Sequence, residues 1–278
     1  MPEVIIFYHH NCLDGFGSAW AAWKKLKDKA EYHGVSYFNF SFEGIKNKKV
    51  YFLDVSPSLK NIEILKRNNN QLVIIDHHIS TENKLEMFDE SLFSLDSSSS
   101  ILAFKYFFPD KKPPKILTYI NDIDLWKFEV PFSREITLAL KIMSFDFEEW
   151  DRIAGEIEKI KSRKKYIKIG EVINNHQDYL IEDIVSNARL VKMEGWEILA
   201  ANSPVLASEV GNALVKKCPP MGIICFEGSD HKRVSLRSNG EVDVSKIAEK
   251  YGGGGHKGAA AFYLPLEAPW PWEEIQEV

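Results

Sequence analysis

Val73-Ile74-Ile75-Asp76-His77-His78 is the stretch whose reading decides this chain. A β-branched apolar run ends abruptly in one carboxylate and two imidazoles. A buried strand needs Val and Ile, and a turn favours Gly, Asn or Asp. Neither requires two adjacent histidines. Asp-His-His at a strand end points instead to metal or proton chemistry.

The same grammar repeats outward from it. Val50 to Leu53 reads as a strand ending at Asp54, followed by Ser56-Pro57 and a helix to about Asn69. Val4 to His9 reads as a first strand running into His10-Asn11-Cys12-Leu13-Asp14-Gly15. A helix is predicted from about Ser18 to Ala30, with Trp20, Ala21, Trp23 and Leu26 on its buried side, and another strand near Val35 to Phe38. Strands alternating with helices predict an α/β fold, a mostly parallel sheet with flanking helices. Ligands of such sheets collect at the carboxyl ends of the strands. His10, Asp14, Asp54, Asp76, His77 and His78 all fall there. Neither GxGxxG nor a P-loop GK[ST] occurs, which excludes dinucleotide and P-loop readings.

Composition sets the bounds. The chain has 278 residues, 45% hydrophobic and 27% charged, which predicts a soluble globular protein of one large or two ordinary domains. Its apolar stretches fall far short of the ~20 residues that span a bilayer. The N-terminus enters a strand directly, without a signal-like core. Cys12, Cys218 and Cys225 are scattered and odd in number, which fits a reducing cytoplasm and no disulfide framework. A net charge of -5 argues against a long nucleic-acid duplex, but not against a short oligonucleotide held at a few points.

Further along, Ser97 to Ser100 precede a helical run over Ile101 to Phe108. The serines suit N-capping, or phosphate binding at the helix N-terminus. After Pro113-Pro114 a helix carries Asn121-Asp122-Ile123-Asp124. The segment from Phe147 to about Ile184 is charged and helical, and after Asn187 the texture changes to short strands and helices. The predicted organisation is a metal-binding domain over 1–146, a helical connector over 147–186 and a smaller α/β domain over 187–278. That last region contains Arg237-Ser238 and Gly252-Gly253-Gly254-Gly255-His256. The glycine N–H groups can form an anion nest, His256 can donate to a phosphate oxygen, and Arg237 offers a guanidinium fork. A plain flexible loop is the bland alternative.

Taken singly, each rim residue also has a bland reading. Asp14 before Gly15 makes a turn, Asp54 caps a helix, and Asp122 sits on an exposed helix face. Together, His10, Asp14, Asp54, His77 and an aspartate from Asp122/Asp124 form a donor set for hard divalent cations such as Mn²⁺ or Mg²⁺, with Mn²⁺ accepting imidazole well.

The order of these motifs resembles the DHH phosphoesterase superfamily, over nearly the whole chain. His10-x-x-x-Asp14-Gly15, Leu53-Asp54, Asp76-His77-His78 and Asp122 or Asp124 are similar to its four motifs. Arg237-Ser238 and Gly252 to His256 resemble its accessory DHHA1 domain. The resemblance implies that His10, Asp14 and Asp54 hold one Mn²⁺, and that Asp54, His77 and Asp122 (favoured over Asp124) hold a second. It also implies that Asp76 orients His77, that His78 stabilises phosphate charge or acts as an acid, and that Asp54 bridges. Arg237, Ser238, Gly253, Gly254, Gly255 and His256 would hold the substrate. One departure is that Cys12 and Phe16 stand where many relatives carry a second Asp. The expected activity is Mn²⁺-dependent hydrolysis of short oligonucleotides or linear dinucleotides to nucleoside 5′-monophosphates, with no membrane partner and the oligomeric state left open. The alternatives are a small-nucleotide phosphatase, a cyclic-dinucleotide phosphodiesterase, or a nucleotide-binding module with an impaired metal centre.

Overall fold

The computed structural model describes residues 3–36, 42, 44–68 and 70–275. The chain divides into two compact units, Met1–Asn174 and Asn175–Val278.

The first unit contains β1 (Val4–His9), α1 (Leu13–Leu26), β2 (Ala30–Val35), β3 (Lys49–Leu53), α2 (Leu59–Arg67), β4 (Gln71–Asp76), α3 (Ile79–Glu82) and β5 (Glu90–Phe93). It continues with α4 (Ser99–Phe107), α5 (Lys115–Asp124), α6 (Ser133–Lys141), α7 (Phe147–Glu158) and the start of α8 (Ile160–Ser186). The five strands are all parallel, in the order β2-β1-β3-β4-β5. Their apolar runs are continuous because both faces are covered. Ile5, Phe7, Val50, Phe52, Leu72 and Ile74 pack with Ile62 and Leu65 of α2 on one side. The alternate residues Ile6, Tyr51, Leu53, Val73 and Ile75 pack with Phe16, Trp20, Ile101 and Leu117 on the other. This is the strand period of two, read on a two-sided core. From β1 the chain goes first to β2 on one side and then to β3 on the other. The strand order therefore reverses at β1/β3, where a crevice opens at the carboxyl ends.

Two boundaries differ from expectation. The strand expected near 35–38 is Ala30–Val35, and residues 37 and 38 lie outside those described. The helix expected from Ser18 begins at Leu13, so Asp14 and Gly15 belong to its first turn rather than to a turn preceding it. Gly15 is required there by close approach. A Cβ on it would stand 2.3 Å from the His9 carbonyl oxygen and 2.8 Å from the His9 Cβ.

The second unit has β6 (Arg189–Met193), β7 (Trp196–Asn202), α9 (Ala207–Lys217), β8 (Met221–Glu227), β9 (Lys232–Ser238), α10 (Val244–Lys250), β10 (Gly254–His256), β11 (Ala259–Leu264) and β12 (Glu273–Glu274). Its sheet runs β10-β11-β9-β8-β7-β6-β12 and is antiparallel except for β7 and β8. One face packs with Val210 and Leu214 of α9, the other with Val244, Ile247 and Ala248 of α10. Asp243 caps α10 by accepting from the Ser245 N–H at 3.1 Å. The unit boundary falls inside α8, while α7 buries Trp150, Ile153 and Ile157 in the first unit's core. The segment 147–186 is thus shared between the units instead of standing apart as a connector. Among the described residues, no helix is long and apolar enough to cross a membrane.

Candidate active site

Three strand ends, those of β1, β3 and β4, and two helix ends, the start of α1 and the end of α5, build the rim. Asp14, in the first turn of α1, is fully enclosed, and both its oxygens accept backbone N–H groups at the start of α4: Ser99 at 2.8 Å and Ser100 at 3.0 Å. The N-terminus of α4 is therefore occupied by the Asp14 carboxylate, a favourable place for negative charge. The serines do not cap α4 with their side chains. The Ser98 and Ser100 hydroxyls pair at 3.0 Å, and the Ser98 N–H donates to Asn121 Oδ1 at 2.8 Å. This corrects both the capping and the phosphate expectations for 97–100. Burial, then the Asp54 charge, push the Asp14 carboxyl up to about 6, against the lowering effect of His77 and the serines.

Asp54 follows β3 at a left-handed φ of 61°, and its N–H donates to the Ile75 carbonyl at 3.0 Å. Aspartate is one of the few side chains that visits this conformation readily. Its Oδ2 lies 3.3 Å from His9 Nδ1 and its Oδ1 3.5 Å from His77 Nε2. Burial raises the Asp54 pKa, but the His77, His9 and His78 imidazoles outweigh it and hold the carboxylate well below its usual range. Even so, Oδ1 is buried with no hydrogen-bond donor.

His77 Nε2 sits among three carboxylates: Asp124 Oδ2 at 3.3 Å, Asp54 Oδ1 at 3.5 Å and Asp14 Oδ2 at 3.9 Å. Burial alone would lower its pKa, yet these charges win and push it up to about 9. Asp76 takes a different role from the expected one. Its Oδ1 accepts from the His77 and His78 N–H groups at 2.7 and 3.1 Å and lies 2.7 Å from His78 Nδ1, while Oδ2 accepts from Thr81 Oγ1 at 2.6 Å. It therefore orients the ring of His78, and reaches His77 only through the backbone.

Three further expectations are corrected. His9, rather than His10, faces Asp54. Consecutive residues of a strand point oppositely, and the His10 ring lies over β2, where a Cβ on Gly34 would be 2.8 Å from His10 Nδ1. Asp124, rather than Asp122, faces His77. Asp122 is buried the other way, accepting from the Glu129 N–H at 2.9 Å and from Ser133 Oγ at 2.5 Å. Phe16 does not leave a gap in the rim. It is 1% exposed and stacks on Phe145 and Phe147 with ring centroids at 5.1 and 4.9 Å. Only Cys12 of that pair stands with the donors. Burial, then the charges of Asp54 and Asp14, raise its pKa well above normal.

The donor atoms converge in three overlapping groups, His9/Cys12/Asp54, Asp54/His77/His78 and Asp14/His77/Asp124, each within 4.8 Å. Asp54 and His77 each belong to two of them. Oxygen and imidazole donors around an orphaned buried carboxylate oxygen fit a hard divalent cation.

In the second unit, Arg237, Ala259 and His256 lie side by side across β9, β11 and β10. Opposed residues of antiparallel strands share a face, so the small Ala259 lies between a guanidinium and an imidazole. Arg237 Nη2 donates to Ser208 Oγ at 2.8 Å, and burial lowers its pKa. The Ser238 hydroxyl is engaged locally, donating to the Val242 carbonyl at 2.7 Å. The glycine run is not an open nest. The Gly252 and Gly253 N–H groups close α10 on the Glu249 and Ala248 carbonyls at 3.1 and 2.9 Å, and Gly254 and Gly255 pair with Ala261 and Ala260 of β11. A Cβ on Gly253 would stand 2.2 Å from the Ala261 carbonyl oxygen, so packing explains it.

A family model, the DHHA1 domain, matches residues 197–278. The chain is 30% identical over 303 residues to uncharacterized protein R106 of Acanthamoeba polyphaga mimivirus, covering 98% of this chain and 70% of that protein. It is 23% identical over 285 residues to oligoribonuclease NrnB of Bacillus subtilis (strain 168), covering 91% and 71%. Among solved structures it resembles RecJ in complex with Mn²⁺ from Thermus thermophilus, with TM-score 0.54 and 11% identity over 94% of this chain and 49% of that one. With the Asp76-His77-His78 rim on one unit and a DHHA1 domain on the other, the chain belongs to the DHH superfamily of metal-dependent phosphoesterases.

Proposed function

We propose that the protein is a Mn²⁺-dependent phosphodiesterase that cleaves short oligonucleotides or linear dinucleotides to nucleoside 5′-monophosphates. The observation carrying this reading is Asp54, a buried carboxylate beside His9 and His77 whose Oδ1 has no donor. His9, Asp14, Asp54, His77 and Asp124 would hold the cations, and the imidazole share favours Mn²⁺ over Mg²⁺. Bound divalent cations supply Lewis acidity, polarising the phosphoryl group and acidifying water.

The remaining steps fall to the chain's own side chains. Asp76 Oδ1 fixes the Nδ1 side of His78, leaving Nε2 as its proton-bearing outlet. Burial lowers the His78 pKa, but Asp76 and Asp54 outweigh it and raise it above the ordinary imidazole value, which favours the protonated ring. His78 therefore donates to a phosphoryl oxygen, or to the departing 3′ oxygen, as a general acid. Arg237 and His256, in register across Ala259, offer donors for a second phosphate of the substrate. A domain that grips one phosphate end suits short substrates, as does the net charge of -5. The name of the B. subtilis relative, an oligoribonuclease, agrees with this choice.

Incubation with Mn²⁺ and a panel of 5′-phosphorylated dinucleotides, longer RNA, cyclic dinucleotides and adenosine 3′,5′-bisphosphate tests the reading. Dinucleotides should be cleaved fastest, to 5′-monophosphates. Preferential release of phosphate from the bisphosphate, or opening of the cyclic compounds, would replace the substrate class. Binding without any turnover would favour a nucleotide-binding module, the reading that Cys12 at the rim supports.

A further inference from the structure

We propose that Trp126 and Phe128 form a stacking platform for a nucleobase of the substrate, an inference that rests on the phosphodiesterase reading above. The loop joining α5 to α6 begins directly after Asp124, whose carboxylate faces His77 at 3.3 Å. Trp126 is two residues beyond, so its Cα is within about 7 Å of that of Asp124. A base joined to a phosphate at the rim lies one sugar away from it, within the same neighbourhood.

The loop holds these rings outward against two ordinary preferences. Trp126 is 44% exposed and Phe128 45%, although aromatic side chains gain most from burial. Both adopt left-handed backbone, with φ of 57° and 55°, a conformation that bulky residues rarely take. The surrounding structure enforces it. The Asp122 carbonyl accepts from the Lys127 N–H at 2.8 Å, its Oδ1 accepts from the Glu129 N–H at 2.9 Å, and its Oδ2 accepts from Ser133 Oγ at 2.5 Å. A buried aspartate thus staples the loop from beneath, on both sides of Phe128. Strain retained beside a reactive rim, with the restraint built in, is the pattern of a functional surface.

The two rings meet edge to face, with centroids 4.9 Å apart and planes at 85°. One ring props the other, and the indole offers the larger face. Stacking of this kind accepts any base, because every base has a π-face. The platform would position the nucleotide without selecting its sequence, while phosphate recognition stays with the cations and Arg237.

The test uses the full chain with Mn²⁺ and two substrates, a dinucleotide and the same phosphodiester with both bases removed. Trp126→Ala should lower kcat/KM on the dinucleotide about 5- to 150-fold, the range of one lost base stack. It should leave the abasic substrate within about twofold. Trp126→Phe should retain most activity, and Phe128→Leu should fall between. Unchanged dinucleotide turnover in Trp126→Ala would overturn the proposal. So would an equal loss on the abasic substrate, which would make the loop a structural support of Asp124. Calorimetric binding of the dinucleotide to Ca²⁺-loaded protein separates this inference from the parent reading. Wild-type binding that weakens at Trp126→Ala, without cleavage by any form, would keep the platform and discard the catalytic reading. Wild-type protein that neither binds nor cleaves would discard both.

Discussion

Asp122 and Asp124 are two residues apart on one helix, yet the structure gives them unrelated jobs, and substituting each separately distinguishes them. Asp122 is 2% exposed and accepts one N–H and one hydroxyl from the 129–133 segment. Hydrogen bonds to a charged group contribute about 1.5–3 kcal/mol each. Asp122→Ala removes both and strands the Glu129 N–H and the Ser133 hydroxyl. The expected destabilisation is about 3–5 kcal/mol, or roughly 6–20 °C in the melting temperature of a unit of this size. Asp124 has a quarter of its side chain exposed, and its carboxylate faces His77. Asp124→Asn should leave the melting temperature of the metal-free protein within about 2 °C and weaken Mn²⁺ binding at least tenfold, as loss of a supporting or ligating group does. Thermal melts without metal, paired with Mn²⁺ titration calorimetry, read the two effects independently. A stable Asp122→Ala variant that no longer binds Mn²⁺, beside an Asp124→Asn variant that binds normally, would refute the assignment and restore Asp122 as the ligand.

Mn²⁺ loading should release a proton below about pH 9, because the free protein holds His77 protonated up to there and a ligand imidazole must be neutral. Apparent affinity should then rise about tenfold per pH unit from pH 7 to 9 and level off above it; calorimetry in buffers of different ionisation enthalpy counts the proton, and a flat profile would contradict the assignment. Gly15→Ala places a Cβ 2.3 Å from the His9 carbonyl oxygen and must push α1 away from β1. It should cost about 1–3 kcal/mol by overpacking and lower Mn²⁺ affinity through Asp14 and His9; denaturant melts and titration both check it, and unaltered values would show that the contact relaxes freely. Cys12→Asp replaces a soft, protonated thiol by a hard donor beside His9 and Asp54. It should tighten Mn²⁺ binding while lowering metal-free stability through added repulsion with Asp14 and Asp54; melts with and without Mn²⁺ should move in opposite directions.

Much of the first unit was legible because its strands are buried on both faces, so each appears as an uninterrupted apolar run closed by a polar residue. Asp54, Asp76, His77 and His78 stood out for that reason. Asp14 was visible as a residue, but its seat was not: the Ser99 and Ser100 N–H groups that hold it are contributed by another helix 85 and 86 positions away. The choice between His9 and His10 turns on the phase of β1, and Ile5, Phe7 and His9 at a spacing of two were the available signal. The choice between Asp122 and Asp124 was hidden because the 125–133 loop decides it, and left-handed Trp126, Phe128 and Phe132 leave no mark in composition. The glycine run misled in an instructive way. It is as compatible with close strand packing as with an anion nest, and Gly253 against Ala261 shows the former.

Asp54→Asn tests the central claim most directly, since it keeps shape and removes charge from the carboxylate common to two donor groups. Mn²⁺ bound per chain should be counted by equilibrium dialysis alongside dinucleotide turnover at saturating metal. The account predicts about two ions and steady release of 5′-monophosphate for the wild type, and for Asp54→Asn the loss of at least one ion together with turnover. An Asp54→Asn protein that binds as many ions and cleaves as fast as the wild type would contradict it.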